Sequence, residues 1–443
     1  MVDNMKSVSF LTLGCKVNQY ESDGMAELLK ANGYDVLPWG EKSDVSIVNT
    51  CAVTNIASRK SRQMLNRAKK INPDTVLVAC GCYIQSVDDV LNTLPEVDIF
   101  LGNNQKNRIV EFLDEYYKNK TRQDHIIDIN RESAYESFAI NNTVANTRAY
   151  VKVQDGCNRF CTYCIIPYVR GRVRSRSMEG IVREVESLAA SGYKEIVVTG
   201  IHVTSYGMDI EDDNINFLSL ITRLNEIDGI ERIRLGSLEP NVVTKEFVEG
   251  IVKLDKVCPH FHLSLQSGCD ATLKRMNRHY TTEEYKRGVE LLRDAYDNPA
   301  ITTDVIVGFP GETDKEFEET YNYLQDINLY EMHVFPYSRR KGTKADTMSN
   351  QINGNNKHER SEKLRRLVAM NKALYEEKFM GKSVKVLVEE IVDIDGISYW
   401  VGHTERYVKV AIPIDDRIKS GDIVEVMLSK RLNDEYLLGE SPV

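Results

Sequence analysis

Cys157, Cys161 and Cys164 fall within eight residues of the 443-residue chain, in the segment Asp155-Gly156-Cys157-Asn158-Arg159-Phe160-Cys161-Thr162-Tyr163-Cys164. The spacing Cys-x3-Cys-x2-Cys is too tight for one face of a helix or a strand. It suits a loop that wraps around a compact inorganic centre. A structural zinc takes four ligands and commonly pairs its cysteines as Cys-x2-Cys twice, and no second pair of that kind occurs in the chain. Three thiolates suit a [4Fe–4S] cube with one iron left open. An open position on a metal is where another molecule binds.

Three further cysteines are far apart in sequence. Cys15, Cys51 and Cys82 each follow a strand-like run, at Val8–Leu13, Val45–Asn49 and Thr75–Ala79. Helical runs at Gln19–Asn32, Ile56–Ile71 and Val87–Leu94 alternate with them, and Asp98–Leu101 with Gln105–Tyr117 repeats the pair. Alternation of this kind predicts a parallel sheet covered on both faces, whose ligands sit beyond the carboxyl ends of its strands. The three cysteines therefore converge at one sheet edge, either as a second three-thiol metal site or as three unrelated core residues. Cys80, two residues before Cys82, competes for the third place.

The segment around Cys157, with Tyr163 before the last cysteine, resembles the signature of the radical S-adenosylmethionine enzymes. The resemblance implies that the amino and carboxylate groups of S-adenosylmethionine chelate the open iron, and that an electron from the cluster cleaves the sulfonium to a 5′-deoxyadenosyl radical. Thr12-Leu13-Gly14-Cys15-Lys16-Val17-Asn18, Asn49-Thr50-Cys51-Ala52-Val53-Thr54 and Gly81-Cys82-Tyr83 resemble the amino-terminal motifs of the methylthiotransferases. Ile166–Gly171, His262–Gly268, Gly308–Thr313 and Phe335–Ser338 resemble later motifs of the same family. The family implies a second [4Fe–4S] cluster on Cys15, Cys51 and Cys82, which supplies sulfur, and a second S-adenosylmethionine, which supplies methyl. It implies a tRNA substrate bound by the anticodon loop, a low-potential electron donor and a sulfur source. The opening motif and Gly402-His403-Thr404-Glu405-Arg406-Tyr407 look most like the branch that methylthiolates carbon 2 of N6-threonylcarbamoyladenosine at tRNA position 37. The alternatives are N6-isopentenyladenosine in tRNA and an aspartate of a ribosomal protein.

The elements that must position these residues follow the same division. Residues 1–120 read as the parallel α/β domain, and 121–147 as a linker or an irregular segment over the junction. Residues 148–380 carry six strand candidates with helices between them: Ala149–Gln154, Glu195–Thr199, Arg232–Gly236, His260–Gln266, Thr302–Val307 and Met332–Pro336. They predict an open, partial (β/α)6 barrel with its chemistry at the carboxyl ends. Gly200, Ser237, Gln266 and Gly308 end four of those strands and, with Tyr163, are the expected contacts of S-adenosylmethionine. The wider superfamily has a Gly-Gly-Glu element where Thr199-Gly200-Ile201-His202 stands here; His202 reads as structural, and Cys258 and Cys269 as buried small hydrophobes. Residues 381–443 switch to period two, with five short strands that predict a small OB-like barrel. The segment Val401–Tyr407 there resembles the TRAM module of RNA-modifying enzymes.

Expected RNA contacts are Arg170, Arg172, Arg174 and Arg176, which alternate without acids, then Arg339 and Arg340, and Arg406 with Tyr407 and Lys409. The basic helix of the first domain, carrying Arg59, Lys60, Arg62, Arg67, Lys69 and Lys70, reads as a solvated face or as a tRNA-facing patch. The last domain holds eight Lys/Arg against twelve Asp/Glu, so RNA contact there rests on local residues. With 42% hydrophobic and 28% charged residues and a net charge of −9, the chain reads as globular, not as a wholesale nucleic-acid binder. No apolar run approaches the roughly 18 residues of a membrane span, no secretory pattern opens it, and nine cysteines without a disulfide framework predict a reducing cytoplasm.

Overall fold

The computed structural model describes residues 5–138 and 147–440. The first domain is a six-stranded sheet of β1 (Ser7–Thr12), β2 (Asp35–Leu37), β3 (Val45–Thr50), β4 (Val76–Gly81), β5 (Ile99–Leu101) and β6 (Gln123–His125). All pairings are parallel, in the order β2-β1-β3-β4-β5-β6. β3 and β4 are buried along their whole length, as strands covered on both faces must be. The linker reading of 121–147 is corrected in part. Its start supplies β6, and Phe138 is buried in the first-domain core, because a sheet edge and an apolar surface were both left to cover; residues 139–146 lie outside the described ones.

The central domain carries β7 (Ala149–Asp155), a two-residue β8 (Arg174–Ser175), β9 (Glu195–Gly200), β10 (Arg232–Leu235), β11 (His260–His262), β12 (Ala300–Val307) and β13 (Glu331–Pro336). β7, β9 and β10 pair in parallel, as do β11, β12 and β13. Two isolated bridges, Ile233 to Val257 and Leu238 to Leu263, join the halves. Six parallel strands in chain order thus form the partial barrel, with antiparallel β8 on the outer edge of β7. One core fills the space between strands and helices, from Ala149 to Leu367.

Helix Gly354–Glu377 leads to a closed barrel of β14 (Ser383–Ile394), β15 (Ile397–Thr404), β16 (Lys409–Pro413), β17 (Ile423–Arg431) and β18 (Leu437–Glu440). This barrel docks onto the central one by backbone recognition. Arg232 donates to the carbonyl oxygens of His403 and Lys385, and Arg234 to those of Thr404 and Glu405. Tyr407, in a left-handed turn (φ 63°), stacks its ring at 4.8 Å on His260 and at 4.4 Å on His403.

Candidate functional site

The barrel loop begins where β7 stops. Gly156 has φ 71°, and a side chain there would meet the Arg172 carbonyl oxygen at 1.8 Å, so the chain can turn only with glycine. The turn is held by Cys157 N–H donating to the Gly171 oxygen at 3.0 Å. The segment Arg275–Arg278 closes the other side. Thr162 N–H donates to the Met276 oxygen and its hydroxyl to the Arg275 oxygen, while the Asn277 amide donates to the carbonyls of Arg159 and Phe160. Arg278 Nη1 donates to Cys161 Sγ at 3.2 Å, and its Nη2 lies 3.2 Å from Glu239. Burial, with neighbouring thiols adding to it, pushes Cys157 up to about 11 and Cys164 up to about 12. Such thiols ionise together only around a cationic centre that binds thiolate. The three therefore fit an iron–sulfur cluster better than they fit a set of free thiols.

The sheet-edge site is assembled from three loops. Asn18 donates to the carbonyls of Leu13 and Thr50 at 2.7 and 3.1 Å, and Asn49 donates to Asn18 O at 2.9 Å. These bonds tie the Cys15 and Cys51 loops together. Burial pushes Cys51 up to about 11, with Cys82 and Cys15 adding their repulsion. Cys15 is exposed by surface area, yet desolvation raises its thiol, as expected of a group facing an enclosed space. Gly81 (φ 93°) turns the chain between Cys80 and Cys82; a side chain on it would meet Thr50 O at 2.7 Å. Cys82 therefore joins Cys15 and Cys51, while Cys80 is fully buried in the core on the opposite face of the sheet. The donor set again fits a cluster.

Beneath this second site lies a buried ion network that no reading of the sequence singled out. Arg170 uses all its donors: Nε to Cys82 Sγ at 3.3 Å, Nη1 to Glu21 at 2.7 Å and Asp155 at 3.0 Å, Nη2 to Asn18 at 2.7 Å and Glu21 at 3.2 Å. Lys152 bonds Glu21 and Asp155 at 2.8 and 2.6 Å, and Lys106 lies 3.0 Å from Glu21. Burial alone would raise the Glu21 and Asp155 carboxyls, but Arg170 and the lysines outweigh it and hold both below the usual carboxylate range. Four cations (Arg170, Arg174, Lys106, Lys152) meet three acids (Glu21, Asp155, Glu136). The surplus charge suits thiolates. Since Asp155 stands two residues before Cys157, Arg170 spans from one cysteine loop to the other site.

The expected row of RNA-facing arginines is therefore corrected. Arg170 and Arg174 are fully buried, and Arg176 is paired with Glu184 at 2.7 Å; only Arg172 is exposed, its guanidinium 4.6 Å above the Phe160 ring. The segment runs from a helical turn, Ile166–Val169, through a loop into the two-residue β8, so no continuous two-residue period holds along it. Arg340 is also buried, bonding Asn55 and Ser58 of the basic helix, whereas exposed Arg339 pairs with Asp346. Arg406 donates to the carbonyls of Asp297 and Asn298, and Tyr407 is stacked inside the domain junction, so both serve docking. The basic helix, Asn55–Ile71, exposes Arg59, Lys60, Arg62, Arg67 and Lys70, and none of these has a salt bridge among the described residues.

Of the expected S-adenosylmethionine contacts, Tyr163 is half-buried, edge-on to Phe309, and Ser237 is exposed at the end of β10. Gln266 is buried with φ 71°. The two glycines are explained by the protein itself. A side chain at Gly308 would meet the Lys357 stem at 2.4 Å, and one at Gly200 the Gln154 backbone at 3.0 Å, so neither needs a nucleoside to account for it. His202 bonds Glu239 at 3.0 Å and Ser205 at 2.6 Å, and Cys258 and Cys269 are buried. Adjacent strands also bring together His262, Asp304 and His333, whose ligand atoms all lie within 4.8 Å of one another. This group has no local sequence signal, because its members come from three strands. Arg278 and Asn277 had one: two arginines flanking Met-Asn just beyond a short helix.

The profile of the radical SAM superfamily matches residues 151–324, and that described as uncharacterized protein family UPF0004 matches residues 7–102. The threonylcarbamoyladenosine tRNA methylthiotransferase MtaB of Bacillus subtilis (strain 168) is 39% identical over 432 residues, covering 96% of this chain and 94% of that protein. The protein of the same name from Aquifex aeolicus (strain VF5) is 41% identical over 383 residues, 86% of this chain and 93% of its own. A tRNA-2-methylthio-N(6)-dimethylallyladenosine synthase of Clostridium perfringens (strain SM101 / Type A) is 38% identical, covering 85% of each. Among solved structures, the radical S-adenosylmethionine methyltransferase TsrM from Kitasatospora setae shares the fold, with a TM-score of 0.59 at 15% identity over 77% of both chains.

Proposed function

We propose, for a chain that belongs to the radical S-adenosylmethionine methylthiotransferase family, that it inserts a methylthio group at carbon 2 of N6-threonylcarbamoyladenosine at position 37 of tRNA. The observation that carries this is the pair of cysteine triads joined through Arg170. Each would hold a [4Fe–4S] cluster, Cys157, Cys161 and Cys164 in the barrel and Cys15, Cys51 and Cys82 at the sheet edge. When bound, the barrel cluster supplies the electron that cleaves S-adenosylmethionine, and the sheet-edge cluster supplies the sulfur.

The chain's own residues hold and orient. Arg278 fixes the Cys161 sulfur and is itself fixed by Glu239 and Tyr280. Arg170 fixes Cys82 in the same way, and Asn18 keeps two of the three sheet-edge loops in register. Tyr163, Ser237 and Gln266 line the barrel mouth toward the nucleoside. The exposed face of helix Asn55–Ile71, which starts at the Cys51 loop, carries the phosphate contacts, with Arg172 and Arg339. A low-potential electron donor and a sulfur source complete the partners, in the cytoplasm. No described helix is long and apolar enough to cross a membrane.

Mass analysis of tRNA nucleosides from cells with and without the protein tests the reading. The methylthio form of N6-threonylcarbamoyladenosine disappears on deletion and returns on complementation. Loss of the dimethylallyladenosine derivative in its place assigns the other branch.

A further inference from the structure

We propose that Lys16 is the binding site for the carboxylate of the substrate's threonylcarbamoyl group, and so sets which N6 substituent the enzyme accepts. The inference rests on the substrate reading above and deepens it.

Lys16 follows Cys15, the sheet-edge cysteine with an exposed side chain, and is itself exposed. Its ammonium lies where three domains meet, within electrostatic reach of Arg148, Arg234 and Glu195 of the central domain and of Tyr407 of the third. The cations around it are each matched: Arg234 bonds Glu195 at 2.8 Å, and Arg148 lies 3.1 Å from Glu389. Lys16 alone of the three forms no salt bridge among the described residues. A further cation set beside two arginines is unfavourable by Coulomb repulsion. It becomes favourable when an anion arrives.

Geometry narrows the anion. The residue after a cluster ligand has its Cα about 3.8 Å from that of the ligand, so the flexible lysine stem sweeps the space beside the sulfur-carrying site. On adenine, carbon 2 and the carbon bearing N6 flank the same ring nitrogen. A base presenting carbon 2 to the sheet-edge site therefore presents its N6 substituent to the same neighbourhood. A threonylcarbamoyl group ends in a carboxylate, and a dimethylallyl group has no charge. An ammonium meeting a carboxylate forms a charge-assisted hydrogen bond, and no neutral group replaces it.

The test uses reconstituted enzyme and three anticodon stem-loop RNAs that differ at one adenosine: threonylcarbamoyl, its methyl ester, and dimethylallyl. Wild type binds the free acid about ten- to a hundredfold more tightly than the ester. Lys16→Gln binds acid and ester equally, and Lys16→Arg keeps the preference, with wild-type iron content in both. Equal binding of acid and ester by wild type overturns the inference without any variant. Retention of the preference by Lys16→Gln also overturns it, as does equal weakening of all three RNAs, which would place a backbone phosphate on Lys16. Methylthiolation of the acid RNA by wild type tests the parent reading separately. Product with no acid preference defeats this inference alone, and no product on the acid RNA defeats both.

Discussion

Cys157, Cys161 and Cys164 share one loop, held by the Arg275 and Met276 carbonyls, the Asn277 side-chain amide and the Arg278 guanidinium. Cys15, Cys51 and Cys82 come from three strand ends, and the amide of Asn18 and a buried ion network hold them together. The first arrangement is local and depends on little beyond its own barrel. The second depends on residues of both domains, since Arg170 leaves the barrel loop to reach Cys82, Glu21 and Asn18. The dependence is therefore one-sided: damage to the junction reaches the sheet-edge site before it reaches the barrel site.

Removing a ligand from each site gives the largest separation. Cys161→Ala should abolish reductive cleavage of S-adenosylmethionine to 5′-deoxyadenosine and lower iron from roughly eight to roughly four per chain. Cys82→Ala should lose a similar amount of iron and all methylthiolation yet keep forming 5′-deoxyadenosine. Cys80→Ala should keep both clusters, at a cost of about 1 kcal/mol in stability for the lost packing. Iron loss by Cys80→Ala but not by Cys82→Ala would mean that the turn at Gly81 points the wrong thiol at the site.

Arg170→Gln probes the one-sidedness. It strips the buried Glu21 and Asp155 of their strongest partner, which costs about 3–5 kcal/mol, read as a fall in the denaturant midpoint. Cluster loss should be confined to the sheet edge, and equal loss from both sites would refute the asymmetry. A pH series sharpens the same point. Because both carboxyls are held low in the folded protein, their contribution is complete above the ordinary carboxylate range and is lost as pH falls below about 4. In Arg170→Gln the folded values rise toward the unfolded ones, so the decline is shallower and is complete at higher pH.

The smallest effect is expected at the surface. Replacing Arg59, Arg62 and Arg67 by Gln should leave both clusters and stability unchanged. It should weaken tRNA binding and flatten its salt dependence by roughly 0.7–0.9 in log–log slope per phosphate contact removed. An unchanged slope would make that helix an ordinary solvated face.

The sequence by itself determined what depends on near neighbours. The Cys157–Cys164 spacing, the alternation of strand and helix through the first two domains and the period-two strands of the last are properties of segments of about ten residues or fewer. Each survives into the structure with boundaries moved by a few positions. Strand Val45–Thr50, expected at Val45–Asn49, is one such case. What only the tertiary structure decided depends on partners distant in the chain. An arginine row reads as a solvent-facing, phosphate-seeking stripe until Glu21, 149 residues away, is found against Arg170. Cys80 and Cys82 are equivalent by spacing and separate only because the sheet has two covered faces and Gly81 reverses the chain between them. Arg406 and Tyr407 likewise become docking residues once the barrel surface of Arg234, His260 and Asn298 lies beneath them. A local period states which side chains share a face, and it carries no information about what that face will meet.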